Sequence, residues 1–387
     1  MVFDLIIVGG GLAGAALAVA LRSSSLKVAV VETRGPVRGT DWDTRIYAYS
    51  PANVNFLKKL GVWSNLDQTR LSPVHEMNIY GDTTGALHFS AYQSGLTELA
   101  WIGESALVHQ ELWENLRRQH NVSLFCPAAP TALEVDQAGV TLTLMDGQVL
   151  SGRLIVGADG RDSWVRSAAG IQARVLPYGE MGVVANFVCE HAHRQIAHQW
   201  FSEEGILAWL PLPGNLMSMV WSVNERFAES LLEMDEQSFC ARVAAAGQHK
   251  LGALFLLTPR AAFSLRLMRV DTVVKSRVAL LGDAAHAIHP LSGHGINLGF
   301  QDAQALAGIL CALPAWRDPG EWEVLRTYAR QRAEEPFLLQ YATHGLNRLF
   351  ACRHPLAVAA RNAGLNLTDR LPVITNTLVR YAAFGKF

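Results

Sequence analysis

The chain has 387 residues, half of them apolar and 17% charged, so a large core is available and disorder is excluded as a description of the whole. Lys and Arg number 33 against 34 Asp and Glu, a formal net charge of −1 that leaves no basic field for nucleic acid. At roughly 150 residues per domain, the length predicts two or three compact units.

The first element is a short apolar strand, Phe3-Asp4-Leu5-Ile6-Ile7-Val8, of the kind buried on both faces of a parallel sheet. Gly9, Gly11 and Gly14 follow as G-x-G-x-x-G, leading into a helix rich in alanine. A second strand, Val28-Ala29-Val30-Val31, ends at Glu32, 32 − 9 = 23 residues after the first glycine. Each part has a physical role. Gly9 makes the tight turn, Gly11 admits a pyrophosphate to the backbone, and Gly14 brings helix and strand together. The helix N-terminus supplies free N–H groups and partial positive charge to the phosphate, and Glu32 accepts ribose hydroxyls. This is a dinucleotide site, and the motif leaves FAD and NAD open.

Further along, Ser50 and Pro51 predict the N-cap and first residue of a helix ending at Gly61. Residues 81–85, Gly-Asp-Thr-Thr-Gly, predict a turn between strands. A second apolar strand runs into Gly157-Ala158-Asp159-Gly160, which alone reads equally well as an ordinary turn. His191, His193 and His198 do not form a metal set: two alternate on a strand-like stretch and nothing completes the spacing. The longest uncharged run, 205–224, is broken by Pro211, Pro213, Gly214 and Asn215, which predicts two strands and a turn rather than a membrane span.

The third glycine-rich segment is Val278-Ala279-Leu280-Leu281-Gly282-Asp283-Ala284-Ala285-His286, continuing through His289, Pro290, Gly293, His294, Gly295, Ile296 and Asn297 into a helix that reaches about Cys311. Asp283 can bind a polyol hydroxyl, and the N–H groups near Gly295 and Asn297 can stabilise a delocalised anion. Beyond 340 the pattern is helical. Cys126, Cys189, Cys240, Cys311 and Cys352 are odd in number, scattered and without a CxxC pair, which points to a reducing compartment and away from disulfide reductases. No secretory leader is expected, because residues 1–4 lack a basic start and Asp4 interrupts where an apolar stretch would begin.

GGGLAG at 9–14 with Glu32, GADG at 157–160 and GDAAH…HPLSGHGINLGFQDA at 282–303 occur in that order. The chain thereby resembles the FAD-dependent aromatic hydroxylases of the para-hydroxybenzoate hydroxylase type, and within them the ubiquinone-biosynthesis monooxygenases. The resemblance covers nearly the whole chain and includes Asp43-x-Arg45-x-x-Ala48, Glu104-Ser-Ala-Leu-Val-His109, Arg361-Asn362-x-Gly364-Leu365 and Ala382-Ala383-Phe384-Gly385. The family's GQG turn carries His294 in place of Gln here.

What the resemblance implies is an α/β fold: a Rossmann-like FAD-binding domain with a parallel sheet, discontinuous over 1–70, 100–180 and 265–340. A mostly antiparallel substrate domain over 71–99 and 181–264 and C-terminal helices over 341–387 complete it. FAD would be held by Gly9, Gly11, Gly14, Glu32, Arg45, His109, Asp159, Gly160, Asp283, Gly293, Gly295, Ile296 and Asn297. His289 and Pro290 would face the flavin at the catalytic turn, with His286 structural behind them. The implied reaction places one oxygen of O2 on a prenylated phenol or quinol through a flavin C4a-hydroperoxide, with NAD(P)H or another electron donor as reductant and no metal. The expected location is cytoplasmic, with peripheral contact at the inner membrane, a ubiquinone-biosynthesis complex and a homo-oligomer left open. Two alternatives remain at this level: a hydroxylase of a small soluble aromatic, and a non-catalytic flavoprotein scaffold.

Overall fold

The computed structural model describes residues 1–37, 39, 41–287, 295–352 and 354–385. Strands Val278–Leu280, Leu154–Gly157, Leu5–Val8, Val28–Val31 and Val122–Phe125 lie side by side, all parallel, with antiparallel Val274–Lys275 at one edge. Every residue of Leu5–Val8, Val28–Val31 and Leu154–Gly157 is buried. The alternation of side chains explains why: Leu5, Ile7, Val28 and Val30 pack with residues of helices Leu12–Ala20, Ser105–Arg118 and Gly295–Cys311. Ile6, Val8, Ala29 and Val31 pack instead under Leu142 and Leu150 of a second, three-stranded sheet. Strands covered on both faces read as unbroken apolar runs. The chain steps from Leu5–Val8 to Val28–Val31 on one side and places Leu154–Gly157 on the other, so a switch point falls between neighbouring strand ends.

A nine-stranded sheet forms the other large layer. It is mostly antiparallel; Ile196–Ser202 runs parallel to Glu76–Tyr80. Its long strands Ala173–Cys189 and Ala261–Val270 pair along most of their lengths. Val183, Ala185, Phe187, Trp209 and Trp221 from one face of this sheet are buried against helices Glu225–Glu233 and Glu236–Ala246. From the same strand as Ala185, Asn186 alternates to the opposite face and donates to the Asp43 carbonyl at 2.9 Å, tying the sheet to the parallel unit.

The uncharged run resolves into strands Gly205–Pro211 and Leu216–Asn224, joined at Gly214, which takes φ +68°. Helix Pro51–Lys59 starts after Ser50, and Gly61 stands just beyond its end at φ +73°. The strand-like reading of the histidine stretch differs from the structure at its start. His191 and His193 lie before strand Ile196–Ser202, where Arg194 and Gln195 both adopt positive φ and turn the chain.

Helices Glu334–Ala351, Pro355–Asp369 and Pro372–Phe384 close the chain. Phe350 stacks on Phe201 of the large sheet with ring centroids 3.9 Å apart. Arg361, among the basic residues of the tail, is buried and pairs with Asp82, while Asn362 bonds the Asp82 carboxylate and the Gly85 N–H. The 81–85 turn is thereby clamped to the helix Pro355–Asp369. No described helix is long and apolar enough to cross a membrane.

Candidate active site

Three glycine turns meet at the carboxyl ends of the adjacent strands Leu5–Val8, Leu154–Gly157 and Val278–Leu280. Gly9 takes φ +103°, and a Cβ there would lie 2.3 Å from the Ala158 carbonyl oxygen, so the first turn presses directly on the second. A Cβ on Gly14 would fall 2.0 Å from the Gly9 carbonyl oxygen, which makes Gly14 the point of close helix–turn approach. Gly299 and Gly282 back onto each other and onto Ala13, joining the third turn to the helix Leu12–Ala20. Only residues without bulk allow three separate segments to share this space.

Gly11, Gly160 and Gly295 behave differently. A Cβ at any of them would meet nothing within 4 Å, so these three face open space. Gly11 is the N-cap of helix Leu12–Ala20 and Gly295 opens helix Gly295–Cys311. Free N–H groups at both helix starts therefore border an opening suited to an anionic ligand.

The Glu32 carboxylate accepts the Gly10 N–H at 2.6 Å, and also the Thr33 hydroxyl and Arg34 N–H, so it sits at the rim of the first loop. The Gly10 carbonyl is held from the opposite side by two donors: His109 Nε2 at 2.8 Å and Trp113 Nε1 at 2.7 Å. Burial lowers the His109 pKa, the Gly10 bond and Glu32 partly opposing this. His109 thus fixes the loop backbone. Trp113, one helical turn on, shares that work.

Asp283 is solvent-exposed, yet protein surrounds it closely enough that desolvation raises its carboxyl pKa against the opposing pull of His286, Arg161 and Arg266. Exposure together with crowding describes the floor of a cleft. Among the described residues its carboxylate has no hydrogen-bond partner. Tyr47, half-buried on strand Ile46–Tyr49, shares the cleft; burial raises its phenol, with Asp283 and Arg45 within electrostatic reach. Arg45 itself is exposed. Two shallow surface grooves lie elsewhere, one beside Thr83 and Asn362 and one beside Gln68 and His193.

Other expected residues have their side chains committed. Asp159 accepts the Ser163 hydroxyl at 2.5 Å and the Val165 N–H at 3.0 Å, so its carboxylate anchors the start of helix Trp164–Ala168. The Asn297 amide donates to the Ala48 carbonyl and accepts from Ser50 N and Asn53 Nδ2, riveting helix Gly295–Cys311 to the segment after strand Ile46–Tyr49. Ile296 packs against the apolar core. At these three positions the backbone, rather than the side chain, remains for a ligand. His289, Pro290 and Gly293 lie outside the described residues.

Arg161 and Asp162 carry no signal in the sequence as sheet anchors, yet Arg161 donates to the Ser264 carbonyl at 3.1 Å and Asp162 pairs with Arg266. These bonds tie the GADG turn to the large sheet. Trp113 stands just after the Glu104–His109 segment that resembles the family's flavin-contacting helix start, whereas nothing in the sequence marks Tyr47; only the meeting of helix, strand and turn does so.

The test of fit for a dinucleotide is favourable. Open glycine backbone stands at two helix starts, a carboxylate at the end of the second parallel strand, and on the cleft floor a carboxylate without a hydrogen-bond partner among the described residues. This is the arrangement of a dinucleotide-binding α/β protein. A family model described as "FAD binding domain" matches residues 3–337. A ubiquinone hydroxylase of Rhodospirillum rubrum is 34% identical over 385 residues, covering 98% of this chain and 89% of the relative. A 3-demethoxyubiquinol 3-hydroxylase of Escherichia coli is 32% identical over 385 residues, covering 98% of each. Two solved structures share the fold: a probable FAD-dependent monooxygenase of Pseudomonas aeruginosa (TM-score 0.79, 24% identity, 95% of this chain and 100% of that one), and the p-nitrophenol 4-monooxygenase of Pseudomonas putida (TM-score 0.80, 18% identity, 100% and 99%). The chain belongs to the FAD-binding-domain family and is an FAD-dependent monooxygenase.

Proposed function

We propose that this enzyme hydroxylates the aromatic ring of a prenylated phenol or quinol intermediate of ubiquinone biosynthesis. The observation that carries the reading is the cleft at the meeting of the three strand ends, with open backbone at Gly11, Gly160 and Gly295 and, on its floor, the Asp283 carboxylate, which has no hydrogen-bond partner among the described residues. The names of the two relatives above, each matched along nearly the full chain, supply the substrate class.

FAD, when bound, supplies the activation of O2. The protein's own residues do the rest. Gly9 and Gly14 set the first turn, Gly11 and the helix behind it offer N–H groups to the pyrophosphate, and Glu32 accepts ribose hydroxyls. His109 and Trp113 hold that loop through the Gly10 carbonyl, and Asp283 accepts from the polyol chain. Arg45 lends positive charge near the cofactor. The backbone around Asp159, Gly160, Ile296 and Asn297, with Gly295, completes the cradle. We assign cofactor binding to 1–70, 100–180 and 265–340, the substrate cover to 71–99 and 181–264, and the helical close to 341–387. The large sheet, bound to the GADG segment through Arg161 and Asp162, excludes water from the reacting ring.

Hydroxylation consumes O2, two electrons and two protons and releases water; the electrons come from NAD(P)H or another donor. A prenylated substrate partitions into lipid. The C-terminal helices expose Leu356, Leu367, Val373 and Ile374, a surface suited to meeting the membrane there. The test of function is to incubate the purified flavoprotein with a prenylated phenol and a chemical or enzymatic reductant under 18O2. Appearance of a product heavier by one 18O supports the reading. Labelling of a soluble phenol alone, with the prenylated one untouched, transfers it to small aromatics; no labelled product from either overturns it.

A further inference from the structure

The helix Gly295–Cys311 carries a carboxylate that the reaction does not call for. Asp302 is 1% exposed and has three donors converging on it. Its Oδ2 accepts the Gly282 N–H at 2.9 Å and His286 Nε2 at 2.7 Å, and its Oδ1 accepts Arg332 Nε at 2.6 Å. Arg332 is held in turn by Glu335 at 2.8 Å and by Gln301 at 3.0 Å. The C-terminal Gly385 closes over the same group, since a Cβ there would stand 2.5 Å from Glu335 Oε1.

Two of the three donors bracket Asp283 in the chain. Gly282 adopts φ +60°, open to glycine without steric cost, and its N–H is fixed by the Asp302 carboxylate. Asp283 lies between the tethered residues and, among the described residues, has no hydrogen bond of its own. Where its carboxylate stands is therefore decided by its neighbours. Burial pushes the Asp302 pKa up, but His286 and Arg332 together outweigh that and leave it below the usual carboxylate range, so the clamp is an anion. A carboxylate needed only to neutralise Arg332 would have no reason to bind both ends of a turn on another segment.

We propose that Asp302 is a positioning residue for Asp283: by gripping Gly282 and His286 from the helix Gly295–Cys311, it presents the Asp283 carboxylate to the hydroxyls of the FAD polyol chain. The inference rests on the reading of Asp283 given above. It also ties the helix Glu334–Ala351 to cofactor retention, because its Glu335 holds Arg332 and is itself covered by Gly385.

The experiment is a double-mutant cycle read by FAD affinity, with apoprotein titrated by flavin fluorescence and unfolding temperature followed in parallel. Losing a hydrogen bond to a charged group typically weakens binding about ten- to a hundredfold, which is the expectation for Asp283→Ala. Asp302→Asn is expected to weaken FAD binding about tenfold, and the double variant to bind no worse than Asp283→Ala alone, because the two act as one. Asp302→Glu, which keeps the charge, should recover part of the loss. Independent, additive effects would overturn the positioning role, as would unchanged FAD affinity in Asp302→Asn. If Asp283→Ala itself binds FAD normally, the assignment of Asp283 fails instead, and the two failures are distinct. Should Asp302→Asn fail to fold, His286→Gln carries the same cycle, and additivity there is equally decisive.

Discussion

Gly11 and Gly14 stand three residues apart in one motif, yet the structure gives them opposite sensitivities. A Cβ on Gly14 would sit 2.0 Å from the Gly9 carbonyl oxygen and 3.0 Å from the Ala158 Cβ. Neither neighbour is the movable end of a long side chain, so helix and turn must separate, and overpacking of that kind costs about 1–3 kcal/mol or more. Gly11, at φ −65° and ψ −174°, already has a backbone conformation open to any residue, and its Cβ would meet nothing. Gly11→Ala should therefore change the stability of the apoprotein by less than about 1 kcal/mol, the scale of an N-cap substitution. The added methyl does occupy the open side of the loop, where it holds a phosphate off the N–H groups. Loss of one charge-assisted bond, about 1.5–3 kcal/mol, corresponds to roughly ten- to a hundredfold in FAD affinity. The assay is thermal unfolding of both apo variants beside fluorescence titration with FAD. Unchanged FAD affinity in Gly11→Ala, or an unfolding temperature for Gly14→Ala equal to that of the parent, would refute the division of labour.

Three further outcomes follow from buried polar groups. Trp113→Phe removes one of two donors to the Gly10 carbonyl and should cost about 1 kcal/mol, whereas Trp113→Phe with His109→Phe strands a buried acceptor and should cost more than the two singles summed; chemical denaturation measures both. His198 is buried, and desolvation, aided by Lys250 and His193, lowers its pKa from 6.5 to about 4. The unfolded chain then binds a proton that the folded chain refuses, so stability is full above pH 6.5 and falls as the pH drops towards 4, by up to about 3 kcal/mol. His198→Phe should flatten that part of the pH–stability curve, and an unaltered slope would contradict the assignment. Asp82→Ala leaves the buried Arg361 guanidinium without its carboxylate and should destabilise by about 3–5 kcal/mol, seen as a lower unfolding temperature and faster proteolysis of the C-terminal helices.

Local chemistry determined much of this protein. The apolar run at 5–8, the three glycines after it and Glu32 after the next strand define a strand–turn–helix–strand unit whatever lies around them, because each residue type answers a nearby steric or electrostatic demand. The break of 205–224 into two strands was legible for the same reason: prolines and a glycine act where they stand. The clamp between Asp82 and the Arg361-Asn362 pair was not, although both segments stood out as motifs. Their 279-residue separation carries no period or spacing that could link them.

Tertiary structure alone decided which side chains face a ligand and which are spent on the frame. Asp159 and Asn297 sit in glycine-rich motifs and look like ligand groups, but capping and riveting bonds consume their polar atoms. Asp302 and Trp113 stood within segments that resemble the family, but what they hold, and that Tyr47 joins them, emerged only when a helix start, a neighbouring helix and a strand edge converged on the same turns. Hydrogen bonding is short-ranged and its partners are supplied by packing, so residue identity sets what a group can do, and the folded arrangement sets what it does.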